Sequence, residues 1–418
     1  MACTVLQAKP TLPLTFSKDT TKQIHKEMEK ELTDILSWWM THMVDHQNGG
    51  FYGRMDGKNE LHPNANKGVI LNTRILWTFA AAARQTENSN YQKIADRAYA
   101  YIIDYFIDQE NGGVYWMLDQ KGQVVEGKKQ IYAQAFAIYA LAEYYLLTQN
   151  ETALEQAMNI FNLIEKHSYD PENTGYLDAF DQNWVLTEES DLSDKGLNAL
   201  KTMNTHLHVL EAYTNLYRAF PTPTVGKALR GLIDNFLEII INPGNAHLHM
   251  FFDKNWKVLS QDISYGHDIE CSWLLVEAAE VLHDPKVLKE VEPIAIKMAQ
   301  ATLKEGLDQH GALIYERHPD GHVNDALHWW PQAETVIGFW NAWQLTHDPA
   351  FEEAAQNCWA FIKKYIKDQE HGEWLWGVDP KGRPMLGGDK AGPWKAPYHN
   401  GRMCLEIMRR TTAKSARH

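Results

Sequence analysis

The sequence predicts an all-α fold, an (α/α)6 barrel of six helix-hairpin-helix repeats, and three observations lead there. First, a short phrase recurs six times: Asp45-His-Gln-Asn-Gly-Gly-Phe-Tyr, Asp108-Gln-Glu-Asn-Gly-Gly-Val-Tyr, Asp170-Pro-Glu-Asn-Thr-Gly-Tyr-Leu, Asn242-Pro-Gly-Asn-Ala-His-Leu-His, Asp308-Gln-His-Gly-Ala-Leu-Ile-Tyr and Asp368-Gln-Glu-His-Gly-Glu-Trp-Leu. Its copies start between 60 and 72 positions apart, the mark of one supersecondary unit stacked on copies of itself. Second, each phrase has a helical stretch on either side. Third, the two stretches differ in character, the leading one charged and the trailing one rich in Ala, aromatic residues and isolated polar groups.

In chain order the helix pairs are expected over 20–44 with 66–87, 91–107 with 129–148, 151–168 with 198–219, 223–241 with 262–283, 285–305 with 325–347, and 349–367 with 395–410. The first leading helix is typified by Lys22-Gln-Ile-His-Lys-Glu-Met-Glu-Lys-Glu-Leu, suited to an outer, solvated ring. The second trailing helix, Tyr132-Ala-Gln-Ala-Phe-Ala-Ile-Tyr-Ala-Leu-Ala-Glu-Tyr-Tyr-Leu-Leu, places apolar residues at helical spacing, with small residues that let neighbouring helices approach. Each phrase reads as a hairpin, with Gly or Asn where a positive φ is wanted and alternating residues such as Val114, Trp116 and Leu118 beyond it. Six trailing helices form the inner ring and six leading helices wrap it. The repeat runs unbroken from about 20 to 410, so the 418 residues make a single catalytic domain.

Composition narrows the function. A hydrophobic fraction of 44% with 11% aromatics supplies a core, and no apolar run approaches the length of a membrane span. The net charge of −14 disfavours nucleic acid, whose binding depends on a basic surface. There is no Gly-rich phosphate loop, so the substrate is expected to be uncharged. The first residues lack the pattern of a secretory signal. Cys3, Cys271, Cys358 and Cys404 show no paired spacing, which fits free thiols in a reducing cytoplasm. The chain is expected to be a monomer or a weak homo-oligomer.

In a ring of repeated pairs the inner helices run the same way, and their starts meet at one mouth. Near those starts stand Asn72 and Arg74, Tyr132, Asn204 and His208, His267 and Glu270, Trp329, Trp330 and Glu334, and Trp394 and His399. His267 and Glu270, three apart, share a helical face; a carboxylate there would hold the imidazole's tautomer for acid/base work, against a structural pair or a metal site. His399 lies at a loop-to-helix junction, where the helix start disfavours its protonated form. His206 and His208 project to different faces, and Asn204 shares the face of His208, so His208 is expected in the lumen and His206 in packing. His247 and His249 sit in the fourth hairpin and are expected to be inert rather than metal-binding. Arg74, in an apolar helix, either pairs with a buried anion or stabilises a developing oxyanion. Trp329, Trp330, Trp394 and Tyr132 offer flat apolar faces of the kind on which sugars stack.

The blocks Asn72-Thr-Arg, Lys129-Gln-Ile-Tyr-Ala-Gln-Ala-Phe, Met203-Asn-Thr-His-Leu-His-Val-Leu-Glu-Ala-Tyr, Ser264-Tyr-Gly-His-Asp-Ile-Glu-Cys-Ser-Trp-Leu-Leu, Trp329-Trp-Pro-Gln-Ala-Glu and Gly387-Gly-Asp-Lys-Ala-Gly-Pro-Trp-Lys-Ala-Pro-Tyr-His-Asn resemble the N-acylglucosamine 2-epimerase superfamily, the last block in particular its cellobiose-epimerising branch. The resemblance implies an (α/α)6 barrel that inverts carbon 2 of a sugar without a redox cofactor, and no metal is expected. It implies that His399 and His267 face opposite sides of that carbon, that His208 assists ring opening, that Arg74 binds the intermediate's oxygens and that Glu270 supports His267. Trp330 and Trp394 would stack a disaccharide, Tyr132, Asn204, Trp273 and Glu334 would shape or support the pocket, and Tyr315 and Glu316 would touch the distal sugar. Three alternatives stay open: epimerisation of N-acetylglucosamine or isomerisation of mannose on the same machinery, an (α/α)6 glycoside hydrolase using Glu270, Glu316 or Glu334, and a sugar-binding module.

Overall fold

The structure, a computed structural model, describes residues 18–187 and 199–412; Cys3 and the N-terminal segment lie outside them. Six outer helices alternate with six inner ones. The outer set is α1 (Lys18–His42), α3 (Ser89–Tyr101), α5 (Glu151–His167), α7 (Pro223–Asn235), α9 (Pro285–Glu305) and α11 (Pro349–Phe361). The inner set is α2 (Val69–Thr86), α4 (Ile131–Thr148), α6 (Met203–Ala219), α8 (Tyr265–Val281), α10 (Trp329–Thr346) and α12 (Tyr398–Thr412). Each inner helix packs on the next, and α12 packs on α2 to close the ring, while every outer helix lies on the inner helix before it, α1 on α12.

Side-chain character decides which helix is inside. Every residue of α4 from Ile131 to Tyr144 is buried, as a helix apolar on all sides must be. In α5 only the Ala153, Leu154, Ala157, Ile160, Phe161 and Ile164 stripe is buried, the pattern of a one-sided surface helix. Close approach inside the ring uses residues without bulk: a Cβ on Gly338 of α10 would stand 2.5 Å from Cγ1 of Ile269 on α8.

All six phrases form the same tight loop, closed by single antiparallel bridges at Val44/Phe51, Ile107/Val114, Tyr169/Tyr176, Ile241/Leu248, Leu307/Leu313 and Lys367/Trp374. The leading Asp explains itself: Asp45 Oδ1 accepts the backbone N–H groups of Gln47 and Asn48, both at 2.9 Å, and Asp108 and Asp170 do the same in their loops. A buried lysine then neutralises each of these carboxylates, Lys67 on Asp45 at 2.8 Å, Lys129 on Asp108 at 2.7 Å and Lys201 on Asp170 at 2.9 Å. In the fourth unit Asn242 replaces the Asp and Ile263 the Lys, so both charges go together.

Beyond the phrase each chain runs into a second short hairpin, which pairs with the two-residue strand ahead of the preceding inner helix: Lys67 with Leu118, Lys129 with Phe180, Lys201 with Phe252, Ile263 with Arg317 and Leu327 with Val378. Met55 with Ala391 closes the circle. These strands explain why five inner helices begin two to five residues later than expected, at Val69, Ile131, Met203, Tyr265 and Trp329. A further difference lies in α3, α7 and α11, which end in π turns over Ile102–Phe106, Phe236–Ile240 and Ile362–Ile366. Each turn closes on a five-residue bond, such as Ile107 N–H to Ile102 O at 3.1 Å, and delivers the residue that starts the next bridge.

Candidate active site

Six consecutive positions at each inner helix start carry the site, counting from Val69, Ile131, Met203, Tyr265, Trp329 and, one residue ahead of α12, Pro397. The second position supplies Ile70, Tyr132, Asn204, Gly266, Trp330 and Tyr398. The sixth, one turn deeper on the same face, supplies Arg74, Phe136, His208, Glu270, Glu334 and Arg402. The third carries His only in the fourth and sixth units, as His267 and His399.

Eight of these residues, Arg74, Tyr132, Asn204, His208, His267, Glu270, Trp330 and His399, line a cavity of about 390 Å³ together with Tyr315, Glu316, Trp329 and Trp394. Of the sequence candidates, Trp273 and Glu334 lie behind the wall: the Trp273 indole donates to Glu334 Oε2 at 3.0 Å, and Glu334 Oε1 accepts from His399 Nδ1 at 2.7 Å. Met250, Phe251, His328 and Trp376 also line the cavity and were not foreseen. They come from hairpins and strand ends brought in by pairing between repeats, for which the sequence carries no local signal.

His267 and His399 open into this one cavity, and Trp330 touches both: its ring centroid lies 4.7 Å from that of His267 and 5.5 Å from that of His399. The expected His267 and Glu270 pair does not form. His267 stands in the first turn of α8, and its Nδ1 meets Ser264 Oγ, just ahead of the helix, at 2.7 Å. Glu270, a turn deeper, is held by Arg402 and has its Oε1 4.0 Å from Nδ1 of His399. His208 donates from Nδ1 to Glu211 Oε2 at 2.9 Å. His206 turns the other way, accepting from Tyr176 N at 2.9 Å with Nδ1 on Thr202 O at 2.7 Å.

Arg402 is the residue missing from the sequence reading. Its guanidinium is wholly buried and bonds Glu211, Glu270, Glu334 (2.7 Å) and the Tyr398 hydroxyl (2.5 Å). One cation thus serves three carboxylates. Burial, then the neighbouring Glu334, pushes the Glu270 carboxyl up to about 7, so it keeps a proton near neutrality. Burial also raises Glu334, whereas in Glu211 the burial effect is overcome by Arg402 and His208 and the carboxyl falls below its ordinary range. Among the described residues Glu270, Glu334 and His399 bring ligand atoms close enough for a metal ion. Arg402 already lies on both carboxylates and supplies the positive charge there.

Arg74 is arranged differently. Nη2 donates to the Tyr132 hydroxyl at 2.7 Å and Nη1 to Trp394 O at 2.8 Å, its plane covers Phe136 at 4.5 Å, and Nε has no partner. Among the described residues no carboxylate pairs with it directly, so the buried ion pair is not its role and its charge stands beside the cavity. Burial, then His208, lowers His267 to about 3. Burial, then Arg74 and Arg402, holds His399 well below the usual imidazole range. Both are therefore neutral near pH 7, and each is a strong acid once protonated.

A sequence model of the N-acylglucosamine 2-epimerase (GlcNAc 2-epimerase) family matches residues 26–401. The chain belongs to this family. A relative called cellobiose 2-epimerase, from Bacteroides fragilis, is 48% identical over 92% of this chain and 98% of its own. The solved structure of the cellobiose 2-epimerase from Bacillus thermoamylovorans B4167 superposes with a TM-score of 0.89 at 39% identity, covering 93% of this chain and all of that one. The N-acylglucosamine 2-epimerase of Mus musculus is more distant, 23% identical over 94% of this chain and 93% of its own. The chain is an enzyme acting on carbohydrates, an (α/α)6-barrel epimerase, and no helix of its described residues is long and apolar enough to cross a membrane.

Proposed function

We propose that this epimerase inverts carbon 2 of the reducing-end glucose of β-1,4-linked disaccharides such as cellobiose and lactose. The observation that carries the reading is the pair of imidazoles, His267 and His399, lining one cavity with the guanidinium of Arg74, whose bonds go to Tyr132 and Trp394 O. Likeness to proteins called cellobiose 2-epimerase supports the disaccharide, as do Trp330, Trp376 and Trp394 around the opening.

Only the open-chain aldehyde acidifies the hydrogen on carbon 2, so the ring must open first. His208, its Nδ1 held by Glu211, keeps Nε2 for moving a proton between ring oxygen and anomeric hydroxyl. His399 then takes the carbon 2 proton on Nε2. Glu334, on the far nitrogen, stabilises the resulting imidazolium. The electron pair left on carbon 2 spreads onto the carbonyl oxygen as an enediolate, facing Arg74. His267, neutral until the enediolate forms, takes a proton from solvent and delivers it to the opposite face as the carbonyl re-forms, while His399 loses the proton it took to solvent, so both imidazoles end neutral. In reverse the imidazoles exchange roles. Return of the proton to carbon 1 instead gives the ketose as a minor product. The Glu270 carboxyl holds a proton near neutral pH and keeps one close to His399.

The test is incubation with cellobiose, lactose, N-acetylglucosamine and mannose, followed by NMR of the products. Glucosyl-mannose from cellobiose and epilactose from lactose are expected. Conversion of N-acetylglucosamine or mannose alone, or release of glucose from cellobiose, would overturn the proposal.

A further inference from the structure

Two of the six units anchor their hairpin through a long hairpin side chain set on a short helix side chain, and they are the two that carry His267 and His399. In the second, third and fifth units a long side chain at the fourth helix position reaches the hairpin directly. Gln134 bonds the N–H and C=O of Val114 at 2.8 and 2.9 Å, Gln332 bonds those of Leu313 at 2.8 Å each, and His206 takes the N–H of Tyr176. The hairpin residue opposite is small: Gly113, Ala312 and Gly175. A Cβ on Gly113 would stand 2.6 Å from Gln134 Oε1, and one on Gly175 2.8 Å from His206 Nε2, so a long helix side chain excludes a long hairpin side chain.

In the fourth and sixth units the sizes are exchanged. The helix offers the short Asp268 and Asn400, and the hairpin the long His247 and Glu373. His247 Nδ1 donates to Asp268 Oδ2 at 2.7 Å while Asp268 Oδ1 accepts from Leu248 N at 2.9 Å. The other His247 nitrogen lies 3.5 Å from Glu305 at the end of α9. Glu373 Oε1 accepts from Asn400 at 2.7 Å, from Trp374 N at 2.9 Å and from Lys395 at 3.1 Å. In the first unit the helix residue is the short Asn72 and the hairpin residue at the matching position is Gly50, and Asn72 bonds Gly68 O of its own helix start instead.

The braced residue is in each case the one directly after the imidazole, Asp268 after His267 and Asn400 after His399. A bond in which the donor or the acceptor is ionised is shorter and roughly twice as strong as a neutral one, and here it fixes the first helical turn from which the imidazole projects. We propose that the buried braces His247–Asp268 and Glu373–Asn400 are positioning devices for the two bases of the reaction proposed above, His247 and Glu373 acting through the backbone turn and not on substrate. The four residues are at most 5% exposed, which shields the braces from competing water. Burial opposes a charge on His247, yet Asp268 and Glu305 together lift its imidazole above the ordinary range.

The decisive experiment rebuilds the fourth brace in the style of the second unit. His247→Gly alone leaves Asp268 without its counter-charge and is expected to lower Tm and kcat together. The double variant His247→Gly/Asp268→Gln regains a long-to-small anchor, and Tm is expected to return to within a few degrees of the parent. Its kcat for cellobiose epimerisation is expected to stay 10- to 100-fold low with KM changed less than threefold, since about 1 Å of misplacement costs about 100-fold. Recovery of kcat with Tm would overturn the positioning role and leave a purely structural brace. So would a single variant with the parent's Tm and kcat. In parallel, 15N NMR of the His267 ring in the unliganded proteins reports its bond to Ser264 without any substrate. A changed signal in the double variant supports the proposal and an unchanged one refutes it, even if the parent fails to act on cellobiose and the proposed function falls.

Discussion

Replacing Arg402 with Met removes one cation from among three buried carboxylates while keeping an unbranched stem. The structure sets the scale. Arg402 makes four hydrogen bonds, to Glu211, Glu270, Glu334 and Tyr398, at 1% exposure. Breaking a buried ion pair from one side costs about 3–5 kcal/mol, because the partner is left charged and unpaired. Unfolding entropy of about 2.1 cal/mol/K per residue gives roughly 0.9 kcal/mol/K for a chain of this length, so that loss lowers Tm by about 3–6 °C. The deficit depends on pH with a definite sign. Burial already raises Glu270 and Glu334, and losing Arg402 raises them further, so in the variant they are neutral and inexpensive at low pH and costly as pH climbs through their folded values. Thermal melts at pH 5 and pH 8 are expected to show the larger deficit at pH 8. Epimerisation is expected to fall about 100-fold in kcat, since Glu334 no longer holds His399 in register. A variant with the parent's Tm at both pH values, or with the parent's kcat, would refute the view that Arg402 organises the floor of the site.

Two further outcomes follow from the same geometry. Trp394 is 38% exposed at the mouth, so Trp394→Ala is expected to raise KM for cellobiose about tenfold while leaving Tm within about 2 °C; equal losses in kcat and stability would contradict a stacking role. Glu270, raised from 4.5 to about 7, stabilises the fold at low pH and loses that contribution as pH rises through 7, so Glu270→Gln is expected to gain Tm relative to the parent between pH 5 and pH 8. A Tm difference independent of pH would place its ionisation elsewhere.

The barrel was legible because six copies of one phrase fix both the period and the facing of the helices, and helix type follows from composition, as the contrast between α4 and α5 shows. The cavity was legible in outline because equal register puts one face of every inner helix start at the mouth. What misled was local spacing. Three residues apart in a first turn does not guarantee contact, and His267 turns back to Ser264 instead of forward to Glu270. Arg402 has no signal in its own stretch, which departs from the pattern of the other helix starts; only carrying the sixth position of Glu270 and Glu334 into the last repeat points to it. His328 and Trp376 depend on strand pairing between units, which no single stretch encodes.

The two-base claim is tested most directly by His267→Ala incubated with cellobiose in deuterated water. With His399 intact and its opposite partner gone, the recovered cellobiose is expected to gain deuterium at carbon 2 with its configuration retained, while epimer formation falls by several orders of magnitude. Epimer appearing at the parent's rate, or recovered cellobiose carrying no label at all, would contradict it.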